Sequence, residues 1–435
     1  MFAYYLKLGW LSIRANPWLS LLMMAAIAVG IGASMTTVTV NYIMGSDPIP
    51  QKSDQLFYVQ LDSWDPNSDS EDGFEPPDQV TYIDAMGLMT AGKAHRQIAS
   101  NRSGLVLEPE EADERPFGVD TRNTWSDFFP MFDVPFQYGG GWDSEADANR
   151  EWVVVLSREV NERVFGGEDS VGRNVRLNGR DFRVVGVLDE WLPVPKFYDV
   201  TNGAFNQPED IYIPFTVADE LELPRNGNTN CWKPIEDGQT LKDSECVWIQ
   251  FWAELRTEQE KQEYMAFLNA YVEEQKALGR FPRPLNNRLS DVMEWMEEEQ
   301  VVDDDARVML GLSLLFLVVC LLNTIGLLLA KFMRKSGDIS VRRALGARQS
   351  DLFIQHLTEA GLIGLAGGLL GISLTLAGLK GIEILFGDFV ENLVRMDWVM
   401  MLATIGLAVV SALAAGLYPT WQACRIPPAS QLKTQ

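Results

Sequence analysis

The chain has 435 residues, with 36 Lys and Arg against 60 Asp and Glu, and a formal net charge of −24. The charge is unevenly spread: residues 45–305 hold 23 basic and 53 acidic side chains, a balance of −30, while the remainder carries +6. An acidic domain repels phosphate, which argues against nucleic acid as a partner. Long stretches almost free of charge argue against a wholly water-soluble fold.

In chain order, residues 1–17 read as an amphipathic N-terminal helix carrying Lys7 and Arg14. Residues 18–44 form a first apolar stretch long enough to cross about 30 Å of hydrocarbon, and 306–330, 352–380 and 397–421 form three more. The polar leader is long and no small-x-small cleavage site follows the first stretch, so it reads as a span rather than a removed signal peptide. Between the second and third spans, 331–351 holds Lys331, Arg334, Lys335, Arg342, Arg343 and Arg348. Between the third and fourth, 381–396 is acidic, with Glu383, Asp388 and Glu391. The positive-inside rule then predicts both termini (including the tail 422–435) and 331–351 in the cytoplasm, with 45–305 and 381–396 outside.

The outside region mixes strand and helix patterns. The β-rich runs 151–157 and 181–191 flank a helical segment, Ser157–Gly167, and Asn178-Gly179 predicts a tight hairpin turn. Residues 257–278 read as an amphipathic helix, and the acidic, Pro-rich stretch 62–79 reads as a solvated loop without EF-hand spacing. Cys231 and Cys246 lie in an oxidising compartment on this topology and flank a turn-rich excursion, so they are expected to form a disulfide. From Asn287 onward, Leu289, Val292, Met293 and Met296 recur at helical spacing, and no Pro or Gly follows until Gly311. One continuous helix running from the outside domain into the second span is expected. The fold class is therefore four transmembrane helices with a large mixed α/β outside domain.

Catalytic chemistry is hard to place. There is no phosphate-binding G-x-x-x-x-G-K-[ST] loop, and the two histidines, His95 and His356, do not support a catalytic triad or a histidine metal cage, so no metal site and no cofactor of the chain's own is expected. Glu359 is the one acid within a span; it is expected to pair with a cytoplasmic-side arginine or a partner subunit rather than mark an ion pathway. Gly364, Gly367, Gly368 and Gly371 give two small-xxx-small pairs, suited to packing inside the helix bundle or to dimerisation.

The segment 337–372 resembles the signature of MacB/FtsX-like ABC permeases, an acidic-Ile-Gly-x-Arg-x-Ala-Leu-Gly-Ala core before a glycine-rich span. Here Asp338 stands where Glu is usual and Ser340 where Gly is usual. Residues 156–190 resemble the family's periplasmic core domain and 418–433 its closing pattern, so the resemblance covers nearly the whole chain. It implies a porter-like lobe of about 45–90 and 215–305 and a sabre-like lobe of about 91–214. It further implies a non-catalytic permease subunit working with a separate ABC ATPase that binds ATP and Mg. The 331–351 loop would then be the coupling helix, with Asp338, Ile339, Arg342, Arg343, Leu345, Gly346 and Arg348 meeting the ATPase. Other expected partners are a second permease copy or paralogue, membrane lipid, a periplasmic adaptor and an outer-membrane channel. Movement driven by ATP would be passed to the outside domain (mechanotransmission), for export or extraction of a substrate. An FtsX-like relay to a cell-wall hydrolase, LolC-like lipoprotein extraction, and a membrane-anchored sensor are the alternatives.

Overall fold

A computed structural model describes residues 2–67, 75–109, 115–334, 337, 341–343, 345–386 and 398–425. In chain order the elements are α1 (Phe2–Ala15), α2 (Pro17–Met44), β1 (Leu56–Gln60), β2 (Val80–Thr81), α3 (Tyr82–Ala91), β3 (Arg96–Glu108), β4 (Phe117–Thr124), α4 (Phe128–Met131), β5 (Phe136–Gly139), α5 (Ser144–Asn149), β6 (Val153–Leu156), α6 (Arg158–Phe165), β7 (Asn174–Leu177), β8 (Arg180–Leu188), β9 (Ile211–Pro214), α7 (Phe215–Glu220), β10 (Val247–Glu254), α8 (Glu258–Ala277), β11 (Arg288–Asp291), α9 (Val292–Glu298) and α10 (Asp304–Arg334). Two long helices follow, α11 (Gln349–Phe386) and α12 (Trp398–Arg425). Two compact units result: a helical one of Met1–Gly45 with Val302–Gln435, and an α/β one of Ser46–Val301.

In the helical unit, α2, α10, α11 and α12 are the four described helices long and apolar enough to span a membrane. In hydrocarbon, only a helix or a closed barrel satisfies every backbone N–H and C=O. Pro17 opens α2 at a position where its missing N–H costs nothing. Met23, Ile27, Ile31 and Met35 recur every fourth residue of α2 and are buried, which gives that helix one packing face.

The glycines of α11 let its neighbours approach, and its two small-xxx-small pairs face different helices. A Cβ on Gly364 would sit 2.2 Å from Ala412 Cβ and one on Gly368 2.6 Å from Ala408 Cβ, both on α12. A Cβ on Gly367 would meet Ile27 Cγ2 at 2.9 Å and one on Gly371 would meet Ile31 Cγ2 at 3.2 Å, both on α2. All four positions are thus occupied by packing inside one chain.

The α/β unit is built on a sheet path ordered β11-β1-β10-β3-β4-β9-β6-β8-β5, with β2 beside β10 and β7 joining β3 to β8. Two pairings are parallel, β4 with β9 and β6 with β8. Local signals set several elements. Ser157 caps α6 by accepting from the Val160 N–H, and Gly166 ends it in the left-handed region. Asn178 and Gly179, both at positive φ, turn β7 into β8 as a two-residue hairpin. Thr257 caps α8 in the same manner as Ser157 caps α6. One apolar core is drawn from residues 57–99 and 215–289, another from 105–218. A third, rich in aromatic rings, includes Tyr58 stacked on Trp295 at 3.8 Å.

The expected continuous helix from Asn287 into the second span does not form. Residues 288–291 instead pair antiparallel with β1 as strand β11. Asp291 closes a capping box with Glu294, α9 lasts seven residues, and Gln300 turns the chain at φ 49° before α10 begins. The apolar spacing is real, but it belongs to two elements: Leu289 packs from a strand, while Val292 and Met296 pack from a short helix.

Two predictions follow from the α/β unit. Cys231 and Cys246 are bridged across a sequence separation of 15. Loop closure of that length is worth about 3 kcal/mol, so Cys231→Ser with Cys246→Ser should lower the unit's thermal midpoint by several degrees in calorimetry. Near the end of α9, burial, followed by the charges of Asp78, Glu298 and Glu75, pushes the Glu299 carboxyl up to about 8. Burial raises Asp78 as well, while Glu298 is held by Arg288. The folded unit therefore keeps a proton on Glu299 that the unfolded chain releases, so stability is highest below the unfolded value and falls as pH rises through about 8. Thermal unfolding from pH 5 to 9 should show this decline, and Glu299→Gln should flatten it; an unaltered slope in the variant would refute the assignment.

Candidate functional site

The candidate site is the segment joining α10 to α11. Within it, Asp338 and Ile339 lie outside the described residues, as do Ser340 and Ala344. The described part is a helical turn at 341–343 with a defined end. Gly346 stands at φ 97°, its N–H bonds the Arg343 carbonyl at 3.1 Å, and the Ala347 N–H reaches back to the Arg342 carbonyl at 3.1 Å. That pair of bonds is the Schellman termination, which requires a residue without a Cβ penalty at positive φ. Gly346 therefore fixes where the turn stops. Arg348 immediately precedes α11, its carbonyl accepting from the Asp351 N–H at 3.1 Å.

The turn displays an apolar pair with basic neighbours. Leu345 is 83% exposed and Val341 51% exposed, and they stand four residues apart on one helical face. Arg342 and Arg348 are exposed, Arg343 is half-buried, and Arg342 donates to Gln355 Oε1 at 3.3 Å. A large apolar side chain held out beside guanidinium groups suits a protein partner with an apolar notch and carboxylates. Val341 was not among the residues expected from the sequence; its i, i+4 relation to Leu345 is the signal that would have found it.

Lys331, expected in the loop, is instead buried in the last turns of α10, with 1% of its surface exposed. Its Nζ lies 2.6 Å from Glu359 Oε1 on α11 and donates to Ser20 Oγ on α2 at 2.9 Å. Ser12 of α1 donates to the same Glu359 oxygen. His356, also buried, places Nδ1 3.7 Å from Glu359 Oε2 and packs its ring on Phe332. Four helices thus meet at one ion pair, which joins the two helices that the Leu345 segment connects in sequence. A charge in an apolar surrounding is tolerable only when paired and hydrogen-bonded, and here Lys331 and Glu359 pair with each other while Ser20 accepts from the lysine and Ser12 donates to the carboxylate. Glu359 finds a lysine from its own chain in place of the expected arginine or partner subunit.

The α/β unit holds its own buried ionic cluster. Arg122 of β4 donates to both Asp199 and Glu209, Lys196 Nζ lies 2.7 Å from Glu209, and Tyr198 donates to Glu209 at 3.0 Å. Gln250 of β10 donates to Asp199 at 2.9 Å. Burial alone would raise the Glu209 carboxyl, but Arg122 and Lys196 override it and hold it well below the usual range. The cluster ties β4 and β10 to the irregular segment 196–209. His95 is exposed.

Comparison with known proteins places this geometry. Residues 20–262 match the MacB-like periplasmic core domain and residues 310–428 the FtsX-like permease C-terminal domain. The pyoverdine export ATP-binding/permease protein PvdT of Pseudomonas aeruginosa is 23% identical over 96% of this chain and 57% of its own length. The macrolide export ATP-binding/permease protein MacB of Rhodospirillum rubrum is 23% identical over 100% of this chain and 61% of its own. The chain therefore spans about three-fifths of the length of these relatives. Among solved structures, the periplasmic region of MacB from Actinobacillus actinomycetemcomitans aligns with 59% of this chain and 96% of its own, at 12% identity and a TM-score of 0.36. With the first domain match alone covering more than half of the residues, the chain belongs to the MacB/FtsX-like family of ABC transporter permeases.

Proposed function

We propose that this chain is a permease subunit that turns ATP hydrolysis on a separate ATPase subunit into movement of its outside domain, for export or extraction of a substrate. The observation that carries the reading is the exposed Val341–Leu345 pair beside Arg342 and Arg348, on a turn rooted in the Lys331–Glu359 cluster. An ATPase that grips this turn moves α10 and α11 together, and through Ser12 and Ser20 it moves α1 and α2 as well. ATP and Mg would reside on the ATPase. Positive charge on the 331–351 side and acid on the 45–305 side support a bacterial inner membrane with both termini cytoplasmic. A second permease, identical or paralogous, is the natural neighbour in the membrane, together with lipid. Either would cover the exposed apolar side chains of α10, such as Leu312, Leu315, Val319 and Leu322. A periplasmic adaptor and an outer-membrane channel complete the machine for an exporter, consistent with relatives whose names specify export.

Leu345→Glu and Arg342→Glu test the docking turn. Losing an apolar or guanidinium anchor at an interface centre costs about 2 kcal/mol, roughly 30-fold in affinity. Both variants should release the ATPase on affinity purification and abolish ATP-dependent transport, while the melting of the α/β unit stays unchanged. Full transport with an undisturbed complex in both would overturn the proposal. The root is tested separately. Glu359→Gln strands a buried lysine and should destabilise the detergent-solubilised protein by about 3–5 kcal/mol. Lys331→Met combined with Glu359→Met should recover most of that loss, because it removes both charges; additive losses in the double variant would show that the two residues do not act as a pair.

A further inference from the structure

A cavity of about 310 Å³ lies in the α/β unit, within the range of small-ligand sites. One wall comes from the excursion that carries the disulfide. That excursion is pinned three times: Arg225 bridges to Ser103 of β3, Asn230 and Val247 exchange backbone hydrogen bonds at 2.9 and 3.0 Å, and Cys231 is bonded to Cys246. The wall it presents is therefore preorganised. The rings of Phe215 and Trp248 also line the cavity, and Leu241 of the excursion lines it between Thr240 and Lys242.

The polar groups around this cavity are unevenly satisfied. Lys242 is neutralised by Asp219 at 2.6 Å. Arg225 is not neutralised: its guanidinium lies 4.8 Å from the Trp248 ring centroid and donates to Thr229 Oγ1 at 2.8 Å, and among the described residues no carboxylate comes within ion-pair distance. Glu222 also lines the cavity, exposed and making no ion pair with Arg225. Trp248 is 94% buried, yet its indole N–H has no hydrogen-bond partner among the described residues. The Asn101 amide N–H reaches only the Arg102 carbonyl, at 3.4 Å. In a domain of charge −30, an arginine left without a carboxylate beside an aromatic wall is an anion receptor in waiting.

We propose that this cavity binds a small amphipathic carboxylate, with its apolar ring or chain between Phe215, Trp248 and Leu241 and its carboxylate on Arg225. Desolvation of a guanidinium is offset when a carboxylate takes two of its N–H groups, and the aromatic wall excludes water from the pair. Binding here needs neither the ATPase nor transport, so it stands or falls apart from the function proposed above.

The test uses the full chain in lipid nanodiscs, titrated with 2-naphthoate and with its neutral isostere 2-naphthamide, against empty nanodiscs for partitioning. Saturable binding of the carboxylate, at least about tenfold tighter than the amide, is expected. Arg225→Gln, at an exposed position that does not carry the fold, should reduce the carboxylate to the affinity of the amide. Leu241→Trp should fill the cavity and remove both. Absence of saturable binding, equal affinity for the two probes, or undiminished carboxylate binding in Arg225→Gln would each overturn the proposal.

Discussion

The helical unit is governed by one constraint: hydrocarbon supplies no hydrogen bonds. Every backbone group of α2, α10, α11 and α12 must be satisfied within its own helix, and any side-chain charge that enters must bring its partner. The Lys331–Glu359 pair meets that condition by recruiting Ser12 and Ser20 from two further helices. The pair therefore does more than neutralise two charges. It specifies which helices meet at that level, a constraint that apolar packing, which is non-directional, cannot impose.

Small residues supply the complementary constraint. Lipid tails are as apolar as leucine, so helices in a bilayer gain little from hiding apolar surface and associate where backbones approach closely. On α11, Gly364 and Gly368 admit Ala412 and Ala408, while Gly367 and Gly371 admit Ile27 and Ile31. One helix is thus the hub for two others, with its ion pair fixing the end nearest the Leu345 turn. The α/β unit solves the opposite problem. Surrounded by water, it gains from apolar burial and can afford many exposed acids, but its inner cations and anions must also be paired, as Arg122, Lys196, Asp199 and Glu209 are.

What was legible in the sequence was local. The four spans, the helical segments read at 157–167 and 257–278 and the Asn178-Gly179 hairpin depend on residues within a few positions of one another. What escaped was set by distance. β11 exists because β1, over 200 residues earlier, offers an open edge to Leu289 and Ser290; no window of 11 residues contains that fact. Lys331 looked like one more loop cation because its partner lies 28 residues away. The Arg122–Glu209 contact, 87 residues apart, left no periodic trace at all. In the 341–348 segment the motif singles out Leu345, Gly346 and the arginines, and Val341 stands at an equally local i, i+4 spacing from Leu345 that the motif does not include.

The break before α10 changes how movement can pass between the two units. A continuous helix from 287 onward would carry torque as well as thrust. Instead the chain crosses between units only at Gly45–Ser46 and Val301–Val302, and the second crossing follows a left-handed turn at Gln300. α10 itself is stiff: 31 residues rise about 46 Å at 1.5 Å each. Under the proposed mechanism, a pull on the Leu345 turn moves α2 and α10 together, because the Lys331–Glu359 cluster and Ser20 join their ends. On the α/β side of Gln300, the Trp295 and Tyr58 stack holds α9 to β1.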